Sequence, residues 1–265
     1  MIDGLIQTKR QDLIKHVDKI FAFIDFEFTC EDSNIGKKAG KSNREMLSKR
    51  ELLSVGLLLC RLVKDKDNYL RLIPVDEYES VMCPVVDPNL SEFCTELTGI
   101  TTEQAIQATA TDIVLARAKT KLERNNVIRL INWGKVDKHI LGNSLYHLYS
   151  HSKDTTGAVY IHQYIYNIEK EILRMYDVNS ENTSLGLRKL FKLSRCSFKY
   201  GDMVINSENI DDTKTHSALF DCMITAYVTE KYLNDLKTFR KAVKTCVNDV
   251  QTQRRALFRN KKVSN

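Results

Sequence analysis

Phe21-Ala22-Phe23-Ile24-Asp25-Phe26-Glu27-Phe28 is a short aromatic and aliphatic run interrupted only by two acids near its end. Its length and composition predict a buried strand in the middle of a sheet, with the acids at the strand's C-terminal end. Asp25 and Glu27 are two residues apart, so on a strand both carboxylates project to one face. In apolar surroundings that arrangement is costly unless a cation neutralises it. Two hard oxygen ligands converging in this way suit Mg2+ or Mn2+, which take a few carboxylates together with water and substrate phosphate. An Asp-x-Glu pair arises often by chance, so this one needs support from elsewhere in the chain.

Upstream, apolar residues at Leu5, Ile6, Leu13, Ile14, Val17 and Ile20 are compatible with an amphipathic helix over 5–20. Downstream, 31–50 is polar and basic (Lys37, Lys38, Lys41, Arg44, Lys49, Arg50) and reads as a loop or lid. Residues 52–63 and 69–75 form a predicted β-hairpin around the turn at 64–68. Pro84 and Pro88 bracket an irregular stretch, after which Ser91 caps a helix that Gly99 ends. Helices are expected at 111–124, 136–149, 185–191 (with Ser184 as cap) and 216–233, and a second buried strand at 127–132. In the helix at 216–233, Ala218, Leu219, Met223, Ala226 and Tyr227 are expected to share a face. Strands first, then alternating helices and strands, point to an α/β domain whose mixed sheet is covered by helices.

The chain has 265 residues, enough for one such domain with appendages. Its longest apolar run, 52–59, is broken by Ser54 and Gly56 and is too short to span a membrane. Charged residues interleave the first twenty positions, unlike a signal peptide. Seven cysteines without a CxxC pair read as reduced, packed thiols of a cytoplasmic protein. The net charge of +6 is uneven: residues 231–265 hold ten Lys/Arg against two acids, so the rest of the chain sums to −2. A near-neutral body with a basic tail fits a polyanion partner, and equally a solvated helix with a frayed end.

Two further acidic positions join the first pair. Asp137 follows the strand at 127–132 after Trp133-Gly134, where α/β sites form at strand C-termini. His216 and Asp221, in Thr215-His-Ser-Ala-Leu-Phe-Asp221, lie five apart at a helix start, or about 140° around its axis. By itself the His216/Asp221 pair reads as incidental surface chemistry. The order of all these positions is informative. Asp-x-Glu on the first strand, Asp beyond a central strand and His-x4-Asp near the last long helix match the DEDDh 3′→5′ exonuclease pattern, with Ser217 where the tyrosine variant of that pattern has Tyr.

The chain further resembles the Eri-type branch of those nucleases, the enhanced-RNAi and histone-mRNA 3′ exonucleases. The resemblance rests on Phe23-Ile-Asp-Phe-Glu-Phe-Thr-Cys-Glu31, Pro84-x3-Pro88-Asn-Leu-Ser-Glu-Phe-Cys-Thr-Glu-Leu-Thr-Gly-Ile-Thr101, Trp133-Gly134-x2-Asp137 and Leu185-x4-Leu190. Phe28 departs from the Ala usual in the first motif, and the larger side chain could alter how a terminal nucleotide sits. The resemblance implies a ribonuclease H-like mixed five-stranded sheet flanked by helices. The exonuclease domain would be 20–235, with an N-terminal helix at 1–19 and a basic helical extension at 236–265.

The expected site holds two divalent ions, Mg2+ or Mn2+: Asp25, Glu27 and Asp221 around one, Asp25 with Asp137 around the other. His216 and Glu27 would be the catalytic residues, His216 as general base toward the attacking water. The resemblance also implies that Glu27, the Phe28 backbone and Thr29 meet the terminal nucleotide, with Lys138 beside its phosphate. Leu97, Thr98 and Ile100 would wall the base or simply pack the core. RNA is favoured over DNA as partner, with no membrane and no nucleotide cofactor. A single-stranded DNA exonuclease and a catalytically silent nucleic-acid-binding module are the alternatives. His147-x3-His151 reads as helix-surface histidines, not a zinc site, and the tyrosines at 146, 149, 160, 164 and 166 either stack bases or pack.

Overall fold

The computed structural model describes residues 10–31, 49–176, 178, 184–200, 202–210 and 217–263, with the backbone alone for 200 and 253–263. A helical turn at 10–14 leads into strand β1 (Ile20–Phe28). β2 (Leu52–Lys64) and β3 (Leu70–Cys83) follow as a long antiparallel hairpin. Helices α1 (Glu92–Thr98) and α2 (Thr102–Gln107), the two-residue strand β4 (Thr109–Ala110) and α3 (Thr111–Arg124) come next. β5 (Arg129–Asn132), α4 (Val136–Ser150), α5 (Thr156–Tyr164), β6 (Ile165–Asn167) and α6 (Ile168–Met175) alternate after that. The chain then runs through α7 (Leu187–Leu193), a small hairpin of β7 (Phe198–Tyr200) and β8 (Met203–Ile205), α8 (Ala218–Asn234) and α9 (Leu236–Val263).

The sheet order is β4-β3-β2-β1-β5-β6. β1 is central as expected, antiparallel to β2 and parallel to β5. The five longer strands make the expected mixed sheet, and β4 adds two residues at its β3 edge. β1 is buried on both faces because each face has its own helical layer. Ala22, Ile24 and Phe26 pack against α3, α4 and α5 through Val114, Leu115, Ile140, Leu141 and Ile161. Phe21 and Phe23 point the other way, toward α6, α7, α8 and the first turns of α9. Phe239, Val243 and Cys246 of α9 are buried in that second layer.

Several local expectations are refined. Ser91 caps α1 by accepting from Cys94 N at 3.1 Å, and Gly99 ends it at φ 72. Ser184 does not cap α7: that helix begins after Gly186, and the Ser184 hydroxyl donates to Glu169 Oε1 at 2.9 Å. The helix expected at 216–233, α8, starts at Ala218 with Ser217 as N-cap; its apolar residues do not form one face, because it is buried on nearly every side between the sheet, α7 and α9. Of the basic loop, Lys37, Lys38, Lys41 and Arg44 lie outside the described residues, as do Leu5 and Ile6.

One row across three strands sets the position of α8. Asp25 pairs with Gly56, and Gly56 with Glu79. Residues directly opposite in a sheet face the same side. Gly56 is therefore the gap in which the first turn of α8 sits, and a Cβ there would overlap the backbone of Ala218 and Leu219. Cys222 Sγ reaches Gly56 O at 3.2 Å. Glu79 Oε1 accepts from Ser217 Oγ at 2.7 Å and Leu219 N at 3.3 Å, satisfying the start of the helix. Because the opposing atoms are backbone, Gly56→Ala is expected to cost about 3 kcal/mol or more. That would lower the Tm by roughly 6–12 °C. A melting curve superposing on the parent's would refute the close approach.

Candidate metal centre

β1 delivers Asp25 and Glu27 at its C-terminal end, on the face that also carries Phe21 and Phe23. Its pairing with β5 stops at Phe23, so both acids lie past the last paired residue on that side. A crevice opens there, outside the carboxyl ends of two parallel strands. Asp221 enters it from the first turn of α8, its amide bonded to Ser217 O at 3.1 Å. Carboxylate oxygens of Asp25, Glu27 and Asp221 all lie within 4.8 Å of one another, and all three residues are half-buried. Three carboxylates this close form a donor set for a hard divalent cation.

Asp137 comes from the other side of β1. After Asn132 the chain turns through Gly134 at φ 81, a conformation that suits glycine, and α4 begins at Val136. Asp137 is buried in the first turn of α4 and accepts from Asn132 Nδ2 at 3.1 Å. Asn132 Nδ2 also donates to Gly134 O at 2.8 Å, which ties the turn to the acid. Asp137 stands outside the three-carboxylate group, yet near enough to act electrostatically on Asp25, Glu27 and Asp221.

No protein-family profile and no curated protein matches the sequence. Solved structures do. The nuclease domain of 3′hExo, a DEDDh family member bound to rAMP, is similar with a TM-score of 0.55 at 20% identity, over 82% of this chain and 92% of that one. A full-length 3′-exonuclease gives 0.52 at 20% identity, over 87% of this chain and 62% of that chain. A 3′-exonuclease recognising the 3′ end of a histone mRNA stem-loop gives 0.54 at 20% identity, over 82% of each chain. The chain has the fold of a DEDDh nuclease domain. At 20% identity that likeness concerns the fold alone.

Within this DEDDh fold the four acids crowd one another. Burial, then the charges of Asp137, Asp221 and Glu27, raise Asp25 well above the usual carboxylate range. Glu27 is pushed up to about 8, by burial first and by Asp221 and Asp137 next, with Arg188 opposing. Asp137 rises to about 7 through burial, the Asn132 hydrogen bond pulling the other way and Asp221 adding to the rise. Such a group is stable as a set of acids only when protons or cations reside in it.

Arg188 has no counterpart in the sequence reading. It lies on α7, with Nη2 3.5 Å from Asp221 Oδ1 and its guanidinium 5.5 Å from the Phe220 ring centroid. Two bonds hold the segment that leads into α7: Trp133 Nε1 donates to Leu185 O at 2.9 Å, and Leu185 N donates to buried Glu169. One basic residue among three on a seven-residue helix gives no motif, so only the fold reveals this cation's place.

α1 flanks the cluster, with Cys94 close enough to raise Glu27 and its Sγ 3.9 Å from Phe28 O. Leu97 is exposed on α1, Ile100 packs against the small core of Cys30, Leu53, Cys94 and Ala105, and Thr98 Oγ1 donates to Cys94 O at 2.8 Å. Thr29 Oγ1 accepts from Glu51 N at 3.0 Å, and Phe28 is half-buried beneath Arg50. Lys138 is exposed one residue beyond Asp137, and His216 lies outside the described residues. Tyr146, Tyr149 and Tyr164 are exposed, while Tyr160 and Tyr166 are half-buried.

The raised acids fix the sign of a pH effect. Glu27 and Asp137 ordinarily titrate at 4.5 and 3.8, and the folded chain retains their protons to about 8 and 7. Their stabilising contribution is complete below the unfolded values and is lost as pH rises through the folded ones. With chelator present, the Tm should therefore fall between about pH 5 and 8. Mn2+ should restore it, more at pH 8 than at pH 5, because it binds the ionised cluster. A Tm indifferent to both pH and Mn2+ would count against the centre.

Proposed function

We propose that the chain is a divalent-metal-dependent 3′→5′ exonuclease that shortens RNA from its 3′ end and releases nucleoside 5′-monophosphates. The observation that carries this reading is the convergence of Asp25, Glu27 and Asp221, with Asp137 alongside, in the crevice of a DEDDh-type fold. Asp25, Glu27 and Asp221 would hold one Mg2+ or Mn2+, and Asp25 with Asp137 a second. Paired ions of this kind stabilise the attacking and leaving oxygens of an in-line displacement at phosphorus.

The chain's own residues supply the rest. His216 precedes Ser217, the N-cap of the helix that carries Asp221, and would accept the proton of the attacking water. Glu27, the Phe28 backbone and Thr29 would meet the terminal nucleotide, with Leu97, Thr98 and Ile100 of the α1 segment against its base and Lys138 at its phosphate. RNA is preferred in this reading because the structures of similar fold include one with bound rAMP and one of histone mRNA stem-loop recognition. Seven unpaired cysteines fit a reducing, cytoplasmic setting.

The test is a matched pair of RNA and DNA oligonucleotides, labelled at the 5′ or the 3′ end, with Mg2+, Mn2+ or chelator. A 5′ label should give a descending ladder, a 3′ label should be released at once as mononucleotide, and chelator should abolish both. RNA should be consumed faster than DNA. Asp25→Asn and Asp221→Asn should be inactive, and His216→Ala should lose on the order of 10²–10⁴-fold in rate. Intact oligonucleotides with both metals would refute the nuclease reading; full turnover by His216→Ala would remove the base.

A further inference from the structure

Beside the acid cluster, on the β6 side of the sheet, lies a concavity of about 930 Å³. It begins at Asn132, the residue that holds Asp137, and passes the start of α4 to the outer face of α6. Ile168, Ile172 and Leu173 of α6 are buried in the core. Lys170 and Arg174 therefore lie four residues apart on the opposite, exposed face. Asn167 caps that helix through Lys170 N at 3.1 Å, so the position of Lys170 is fixed by the fold. Lys135 and Lys138 of the α4 start face the same space.

The lining thus carries four Lys or Arg against one acid, Glu171, in a chain whose residues up to 230 sum to −2. Glu171 is nearly buried, 3.9 Å from the half-exposed Arg174 guanidinium. His162, at the same wall, is held below its ordinary value by burial and by Lys138, so it adds no positive charge near neutrality. The cations are spread along the concavity on separate helices, which suits a run of phosphates rather than a single one. The position agrees: α1 packs at the end of β1, whereas this wall lies past β5, on the other flank of the acids.

We infer that this concavity is the track for the strand upstream of the scissile bond, with Lys170 and Arg174 on backbone phosphates of a single strand beyond the terminal one at Lys138. The inference rests on the reading of the acid cluster as the seat of the 3′ end. Track residues distinguish a polynucleotide from its terminal nucleotide, so they govern hold on the strand rather than bond cleavage.

The test reads binding without turnover. A 5′-fluorescein oligouridylate of about ten nucleotides is titrated with the full chain in chelator, at 50–200 mM salt. The double variant Lys170→Ala/Arg174→Ala should bind about tenfold more weakly than the parent, and its plot of log K against log salt should flatten by about 1.4, two contacts at roughly 0.7 each. The control is Lys64→Ala/Lys66→Ala, the same charge loss in the exposed hairpin turn at the opposite end of β1. An unchanged slope in the first variant, or equal losses in both, overturns the track. Failure of the nuclease reading looks different: the parent binds with the steep slope but releases no mononucleotide when Mn2+ is added.

Discussion

The close approach of α8 to β2 at Gly56 is the constraint on which the site depends. The row Asp25–Gly56–Glu79 places an acid of the cluster, a gap and a helix cap side by side on three strands. Any side chain in the middle would lift the first turn of α8 from the sheet. Asp221 would move with it, since its amide is bonded to the Ser217 cap. A cluster whose oxygens gather within 4.8 Å has no tolerance for such a shift. Here the backbone geometry of a residue without chemistry of its own decides whether three residues with chemistry can meet.

The acids themselves oppose folding. Burial and mutual repulsion raise Asp25, Glu27 and Asp137 together, so as pH rises through their folded values the uncompensated charges work against the packing around them. Compensation within the chain is partial. Among the described residues, Arg188 reaches Asp221 and opposes the rise of Glu27, and Asn132 and a backbone amide bond Asp137, yet the carboxyls stay raised. Helix N-termini add to it: both Asp137 and Asp221 lie in first turns, where the backbone dipole favours negative charge. The remainder would fall to protons or cations from solution, the condition under which a buried carboxylate cluster favours a divalent ion.

What could be read from the sequence follows the strength of each local signal. The period of two along 21–28 fixes which side chains of β1 share a face, and Ser91 and Gly99 are strong enough to bound α1. Asp137 was legible from its place after a strand, although its bond to Asn132 was not. The segment 156–175 escaped because its pieces are short: a nine-residue helix, a three-residue strand and an eight-residue helix. In α6 the buried Glu169 and Glu171 also mask the apolar spacing, because their roles, bracing the 184–185 segment and pairing with Arg174, exist only in the folded chain. The same holds for Arg188, whose partner is 33 residues away in sequence. α8 misled in the opposite sense: burial on nearly all sides leaves no face for periodicity to report.

At Phe28 the first strand departs from the Eri-type motif that it resembles, and the structure shows what the larger side chain touches. The side chain is half-buried against the α3–α5 layer, and the Arg50 guanidinium lies 5.2 Å from its ring centroid. A cation over an aromatic face at this distance is worth about 0.5–1 kcal/mol when exposed. An alanine would leave Arg50 without that platform. Strand pairing, with Thr29 N donating to Glu51 O at 2.8 Å, brings Arg50 to the end of β1, and the Phe28 ring supports its guanidinium there. Positive charge then flanks the acid cluster on two sides, Arg188 from α7 and Arg50 above Phe28, while the carboxylate face between them stays acidic.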